Sequence, residues 1–243
     1  MPSVKRIYNI LRFGLGEQAR VRKRAHKAKR RAATFDSELW KRDEQFAQRS
    51  YSSYDEYVEH QGSKLDKIIH RLRETEAEDF ADFKHRFETC KQLSEARSVL
   101  CLGARIGTEV RALHSLGYFA VGIDLNPGQD NPYVLPGDFH NIVFPEGSVD
   151  AVYTNTLDHV FDLEKMTGEI RRLLRPNGIF IADVIHGFEE GFIPGDYEAT
   201  HWSDSETFLA KVAESGGFAL ENVRELGHMR RDQWRQAVVR KPG

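Results

Sequence analysis

Two glycines and one acid stand at positions where a nucleotide could be bound. Gly103 follows an apolar run at 98–102, Gly107 comes four residues later, and Asp124 ends a second apolar run 21 positions after Gly103. Glycine at the turn from a strand into a helix lets the backbone approach a ligand, and it adopts positive φ at little cost. A carboxylate at the tip of the second strand can accept hydrogen bonds from both hydroxyls of a ribose. The spacing therefore predicts a nucleotide-binding βαβ unit.

The same loop argues against a dinucleotide as the ligand. A pyrophosphate-binding loop has the spacing G-x-G-x-x-G, which places the phosphates on the N-terminus of the following helix. This chain has Arg105 where the central glycine would stand. The loop therefore offers no evident phosphate cradle.

At these residues the chain resembles the class I S-adenosylmethionine-dependent methyltransferases, of the type that acts on small molecules or glycans. Their first motif commonly reads acidic-x-Gly-x-Gly-x-Gly, and their second strand ends in an acid. Gly103, Gly107 and Asp124 match this pattern, whereas Cys101 and Arg105 depart from it. The resemblance spans roughly residues 97 to 240, because three further segments continue it in order: 137–140, 144–160 and 169–181.

The resemblance implies S-adenosyl-L-methionine as the cofactor and assigns residues to it. Asp124 would hold the ribose, Asp138 would face the adenine amino group, and Phe139 would pack against the base. The guanidinium of Arg105 could pair with the cofactor's carboxylate. The expected cofactor-binding residues are Gly103, Arg105, Gly107, Asp124, Leu125, Asp138, Phe139 and Asn155.

The resemblance also places the catalytic loop. Methyl transfer is an in-line displacement at a sulfonium carbon, so the protein must above all align the acceptor, and a hydroxyl acceptor also needs a base. The polar segment 154–159 lies where the methyl group would be presented, so Asp158 and His159 are the candidate base or acceptor-orienting groups; a purely structural role for His159 stays open. Acidic and aromatic residues in the segment 187–202 suit a sugar or another polyol. The candidate substrate contacts are His140, His186, Tyr197 and Trp202. No tight ligand spacing supports a metal.

Elements that could position these residues follow from the hydrophobic pattern. Helices and strands alternate after residue 96, which predicts an α/β fold: a Rossmann-like, seven-stranded sheet with helices on both faces and the last strand antiparallel. The predicted strands are 98–102, 119–124, 133–135, 149–154, 179–184, 218–223 and 234–239, and the helices between them are 108–116, 163–174 and 206–214. Before this catalytic domain (96–243) we expect a basic arm (1–35) and a helical extension (36–95), in which Tyr54, Tyr57, His60, Gln61 and Lys64 are candidates for contact with the cleft.

Composition limits the classes of protein that fit. The 243 residues contain no apolar run of 18, which argues against a membrane span, and the start lacks a long apolar signal core, so we expect a cytoplasmic protein. Its two cysteines provide neither a disulfide framework nor a metal cluster. Residues 1–35 carry a net charge of +10, and the rest carries −12. The densest part, 20–31, could bind an anionic membrane surface, a nucleic acid or the acidic body of a partner subunit in a homo-oligomer.

Three functions agree with these features. The first is O-methylation of a glycan or another small-molecule hydroxyl. The second is methylation of RNA, which the basic arm permits. The third is a non-catalytic binding or scaffold protein that keeps the fold, an alternative that Cys101 and Arg105 favour and that Gly103, Gly107 and Asp124 oppose.

Overall fold

A computed structural model describes residues 38–229 and 232–243; the basic arm lies outside them. The strands within these ranges are β1 Trp40–Arg42, β2 Phe46–Arg49, β3 Ser98–Leu102, β4 Phe119–Asp124, β5 Val134–Pro136, β6 Val149–Thr154, β7 Leu174–Ile185, β8 Thr200–Trp202, β9 Ala219–Met229 and β10 Asp232–Arg240. The α-helices are α1 Tyr54–Gly62, α2 Lys64–Glu74, α3 Glu76–Glu88, α4 Thr108–Ser115, α5 Leu163–Leu173 and α6 Ser205–Gly216.

A seven-stranded sheet forms the centre, with the order β5-β4-β3-β6-β7-β10-β9. Strands β3 to β7 pair in parallel, and β10 is antiparallel to both β7 and β9. This confirms the predicted fold class. The chain leaves β3 toward β4 on one side and later returns to β6 on the other, so the order reverses beside β3. In open α/β sheets, ligands bind outside the carboxyl ends of the strands at such a point.

Helices cover both faces of this sheet. On one face, Phe87 of α3 and Leu113 of α4 pack against Tyr153 and other buried strand residues. On the other face, Ile170 of α5 and Phe208 of α6 belong to a second buried cluster. Because both faces are covered, the central strands are apolar throughout, as is typical of parallel sheets.

Local signals explain where two of the helices begin. Asp162 accepts a hydrogen bond from the backbone N–H of Lys165 at 2.9 Å and caps α5. Asp204 caps α6 in the same way, because it accepts from the N–H of Thr207 at 2.8 Å.

The extension before the catalytic domain is only partly helical. Strands β1 and β2 form a hairpin, and β2 pairs with β8 to give a separate three-stranded sheet. Helices α1 to α3 follow, as the apolar spacing predicted. Within the described ranges, no helix combines the length and apolarity that crossing a bilayer would require.

Candidate active site

The loop after β3 is held tightly against the neighbouring strands. Gly103 has φ +69°, and a Cβ there would lie 2.5 Å from Oγ1 of Thr156, so no other side chain fits. Gly107, at φ +79°, is the N-cap residue directly before α4, and a Cβ there would lie 2.8 Å from Cβ of Tyr133. The first glycine therefore shapes the cleft floor, whereas Gly107 serves the turn itself.

Asp124 fixes this loop and still faces the cleft. Its Oδ2 accepts the N–H of Arg105 at 2.9 Å, and its Oδ1 accepts the N–H of Asn126 at 2.9 Å. Burial raises the pKa of the carboxyl group, which the two backbone donors oppose. A carboxylate oxygen has two lone pairs, so each oxygen keeps one for a ligand. That arrangement fits the two hydroxyls of a ribose.

A cleft opens beside this carboxylate. Gly103, Asp124 and Thr156 form its floor, and Leu65 and Ile68 of α2 contribute apolar side chains from above. The cleft is lined by Tyr57, Gln61, Lys64, Leu65, Ile68, Gly103, Arg105, Asp124, Leu125, Asn126, Phe139, Thr156 and His159. Apolar and aromatic walls beside a ribose acceptor suit an adenosyl group, so the residues present fit S-adenosylmethionine.

A second, polar recess adjoins the glycine loop. It contains Gly103, Arg105 and Asn155 together with Asp79 and Glu109. Burial raises the pKa of Glu109 to about 8. The guanidinium of Arg105 can pair with the carboxylate of an aminocarboxypropyl chain, and the carboxyl oxygens of Asp79 and Glu109 can accept hydrogen bonds from its amino group. This recess, with Arg105 and Asn155, therefore fits that end of the cofactor.

Asp138 and His140 form a hydrogen-bonded group with Tyr54 next to Phe139. Oδ2 of Asp138 accepts the Tyr54 hydroxyl at 2.5 Å, and Oδ1 accepts the backbone N–H of His140 at 2.8 Å. Nε2 of the buried His140 accepts the N–H of Asp162 at 3.1 Å. Burial alone would raise the pKa of Asp138, but hydrogen bonds from the His140 side chain, the Tyr54 hydroxyl and the His140 backbone hold it below its usual range. The structure thus gives both side chains partners within the protein and leaves Phe139 on the cleft wall.

His159 lies at the other end of the cleft, on a turn after β6. Its Nδ1 lies 2.8 Å from the carbonyl oxygen of Tyr197, so Nδ1 carries the proton that is donated there. Its Nε2 is therefore an acceptor, and Nζ of Lys64 lies 2.5 Å from it. Burial and the charge of Lys64 hold the pKa of His159 well below its ordinary value. His159 is thus a neutral ring whose acceptor nitrogen faces a lysine.

Two carboxylates complete this group. Asp158, His159 and Glu198 each offer a ligand atom, all within 4.8 Å of one another, which is a spacing that a metal ion could use. The sequence suggested no metal. Nζ of Lys64 lies 2.5 Å from Nε2 of His159, so the lysine already engages that nitrogen. Burial raises the pKa of Asp158.

The remaining predicted substrate residues lie in different places. The backbone carbonyl of Tyr197 contacts Nδ1 of His159, and Nζ of Lys64 lies 5.6 Å from the centroid of the Tyr197 ring. Trp202 is fully buried, stacks on Phe208 at 3.8 Å and donates to the carbonyl of Ile185, so the structure does not bring it to the cleft. His186 lies beside Glu225 of β9, also away from the cleft.

Leu65, Ile68 and Asn126 also line the cleft, which was not predicted from the sequence. The two apolar residues carry the same helical spacing as ordinary core positions, so nothing separates them from core in the sequence. For Asn126 the sequence did contain a signal, because this residue follows Asp124 by two positions. In the structure, its side chain donates to the carbonyl of Gly62 at 2.8 Å and so links α1 to the loop after β4.

Comparison with known proteins agrees with this geometry. Residues 100–182, about a third of the chain, match the family model of a methyltransferase domain. A sterol 24-C-methyltransferase of Gibberella zeae is 33% identical over a 98-residue alignment, and that alignment covers 34% of this chain. The match spans 26% of that relative, so the chain covers about a quarter of its length.

Solved structures show the same fold. The 1,6-didemethyltoxoflavin-N1-methyltransferase of Burkholderia thailandensis superposes with a TM-score of 0.63 at 18% identity, covering 83% of this chain and 97% of that one. A SAM-dependent methyltransferase of Thermotoga maritima gives a TM-score of 0.56 at 14% identity, with coverages of 76% and 99%. Residues 100–182 thus match the model of a methyltransferase domain, and the sheet around them has the fold found in S-adenosylmethionine-dependent methyltransferases. This class supports S-adenosylmethionine as the cofactor.

Proposed function

We propose that the protein is an S-adenosylmethionine-dependent methyltransferase that methylates a hydroxyl group of a polar small molecule or a glycan. The observation that carries the proposal is the placement of Asp124. Its carboxylate holds two loop amides and still faces a cleft with Phe139 and Leu125 on its wall. The bound cofactor would supply a methyl group on a sulfonium.

The chain's own residues would then orient the acceptor. Gln61, Lys64 and His159 line the same cleft as Gly103. Gln61 lies on α1, Lys64 on α2, and His159 on the turn after β6. Since helices α1 and α2 cover the cleft, they would also exclude water from the reacting groups. A hydroxyl acceptor must lose its proton near the transition state, and the acceptor nitrogen of His159 and the amine of Lys64 are the groups available for it.

The acceptor class is inferred from the polarity of this region. Donors and charged groups at the acceptor end, including Gln61, Lys64, Asp158 and Glu198, favour a ligand with several hydroxyls over an apolar one. The curated relative's name gives a sterol as its substrate, but we do not extend that substrate to this chain, because it costs free energy to cover polar and charged groups with an apolar molecule.

The test is a screen of cell fractions with methyl-labelled cofactor. Glycan, RNA and lipid extracts are each incubated with the full-length protein, and incorporated label is measured before and after mild alkaline hydrolysis. We expect label in the glycan or polar small-molecule fraction. Label confined to RNA would replace the proposal with RNA methylation, and cofactor binding without label in any fraction would favour the non-catalytic alternative.

A further inference from the structure

Lys64 lies beside His159 at one end of the cleft. It begins α2, is partly buried, and lines the cleft together with Gly103 and Thr156. Its Nζ lies 2.5 Å from Nε2 of His159. An unprotonated amine has two N–H groups and one lone pair, so it can donate to His159 and still accept a proton from a ligand.

The surroundings of this amine disfavour its charged form only partly. Burial and the positive charge of Arg105 lower the pKa of Lys64 to about 7, whereas the nearby carboxylates of Asp158, Glu198 and Asp124 raise it. The other groups that face it are the neutral ring of His159 and the ring of Tyr197. Near neutral pH, a further positive charge in the cleft would therefore expel the proton from Lys64.

We propose that Lys64 accepts the proton of the methyl acceptor, and that the positive sulfonium of the bound cofactor keeps Lys64 unprotonated until transfer. The inference rests on the proposed function and deepens it. In the step, the acceptor oxygen forms a bond to the methyl carbon, the carbon–sulfur bond breaks with its electron pair remaining on sulfur, and the acceptor's proton moves to Nζ. The positive charge passes from sulfur to Lys64.

This exchange leaves the net charge of the cleft unchanged. Charges interact strongly in a site from which water is excluded, so a reaction that neither creates nor removes net charge avoids a large electrostatic cost. His159 then acts as a positioning residue. Its Nδ1 is bound to the Tyr197 carbonyl and its pKa is well below the ordinary value, so it orients Lys64 and does not itself carry the proton.

Proton release on ligand binding tests the proposal without a known acceptor. Isothermal titration of the full-length protein in buffers of different ionisation enthalpy gives the protons released by S-adenosylmethionine and by S-adenosylhomocysteine, whose sulfur is neutral. Because Asp158 also has a shifted pKa, the comparison uses Asp158→Asn and adds Lys64→Met, Lys64→Arg or Lys67→Met to it. Lys67 is the matched control: it lies on the same helix, is exposed, and its Nζ is 5.2 Å from the Tyr197 ring.

The sign of the expected effect follows from the pKa of Lys64. Removing Asp158 lowers that pKa, so the titration should cover about three pH units at and below 7. Within that window, S-adenosylmethionine should release more protons than S-adenosylhomocysteine, and its relative affinity should rise by up to about tenfold per pH unit. Lys67→Met should keep this difference. Lys64→Met should remove it, and Lys64→Arg, which cannot lose its proton, should bind S-adenosylmethionine more weakly relative to S-adenosylhomocysteine at every pH.

Two results overturn the inference while leaving the proposed function in place. One is equal proton release by both ligands in the Asp158→Asn protein, and the other is a difference that survives Lys64→Met. If the wild-type protein binds neither ligand, the proposed function itself fails and the inference fails with it.

Discussion

Arg105 stands in a backbone conformation that glycine adopts more readily, with φ 48°. Its backbone N–H donates to Asp124, and its side chain lines both the nucleoside cleft and the polar recess. The sequence identified this departure from the family's glycine and suggested a role for the guanidinium. The carboxylate of Asp124 accepts hydrogen bonds from the backbone N–H groups of Arg105 and Asn126. These contacts could not be predicted from the sequence, because they depend on the path of the loop.

Replacing Arg105 by glycine separates its backbone from its side chain. Glycine relieves the positive φ but is more flexible when unfolded, and these effects of about 1 kcal/mol nearly cancel, so the free energy of unfolding should change by less than about 1 kcal/mol. If the guanidinium pairs with the cofactor's carboxylate, Arg105→Gly should weaken S-adenosylmethionine binding about tenfold or more. Binding of 5′-methylthioadenosine, which lacks that chain, should stay unchanged. Equal affinity of wild type and variant for S-adenosylmethionine would place the side chain in solvent.

Gly103 gives a second prediction at this scale. Because a Cβ would lie 2.5 Å from Oγ1 of Thr156, even Gly103→Ala should displace the catalytic loop. We expect a loss of about 1–3 kcal/mol in unfolding free energy together with lost cofactor binding, measured by urea denaturation and titration. An alanine variant of unchanged stability would contradict this packing.

At the scale of elements, the parallel strands were predictable and the small sheet was not. The strands from β3 to β6 are apolar runs ended by turn residues, and their limits agree with prediction to within one residue. Strand β7 instead begins at Leu174, five residues before the predicted 179, and includes Pro176 and Asn177. The hairpin of β1 and β2 is short and charged, and its further partner β8 lies about 150 residues along the chain. No local pattern reports such a pairing. For the same reason Trp202 on β8 suggested a substrate contact although it packs in the core.

Helix α3 is fixed to the sheet by a buried ion pair. Arg86 donates to Oδ2 of Asp183 on β7 at 2.9 Å, and Tyr153 and Gln236 also donate to that carboxylate. Arg86→Met would leave a buried charge without its counter-ion, so the free energy of unfolding should fall by about 3–5 kcal/mol. Lys84→Met, an exposed change on the same helix, should cost less than about 0.5 kcal/mol. Equal stability of the two variants in urea would show that the pair does not anchor α3.

At the scale of the whole molecule, the charge is unevenly distributed. A basic arm at 1–35 precedes a body of opposite net charge, and this was evident from composition alone. The residues that line the cofactor cleft begin at Tyr57, so the arm at 1–35 and the cleft are separate in sequence. We propose that the arm recruits the protein to an anionic membrane surface.

Removing residues 1–35 tests this role. The truncated protein should still bind cofactor and should lose binding to anionic liposomes. The full-length protein should be released as salt rises, since about 1 kcal/mol per basic residue accumulates over the arm and is screened within about 10 Å at 0.1 M salt. RNA binding has the same salt trend, so the assay is competition between liposomes and RNA. Preference for RNA would contradict the membrane role and favour RNA methylation; binding to neither would leave a subunit contact.

The central claim is that the cleft binds S-adenosylmethionine with Asp124 on its ribose, and titration of wild type and Asp124→Ala measures this most directly. Both S-adenosylmethionine and S-adenosylhomocysteine should bind wild type with micromolar affinity. Each hydrogen bond to a charged group contributes about 1.5–3 kcal/mol, so Asp124→Ala should weaken both ligands at least about tenfold. Asp66→Ala, an exposed change on α2, should bind as wild type does. Unchanged affinity in a folded Asp124→Ala protein, or no binding by wild type, would contradict the account.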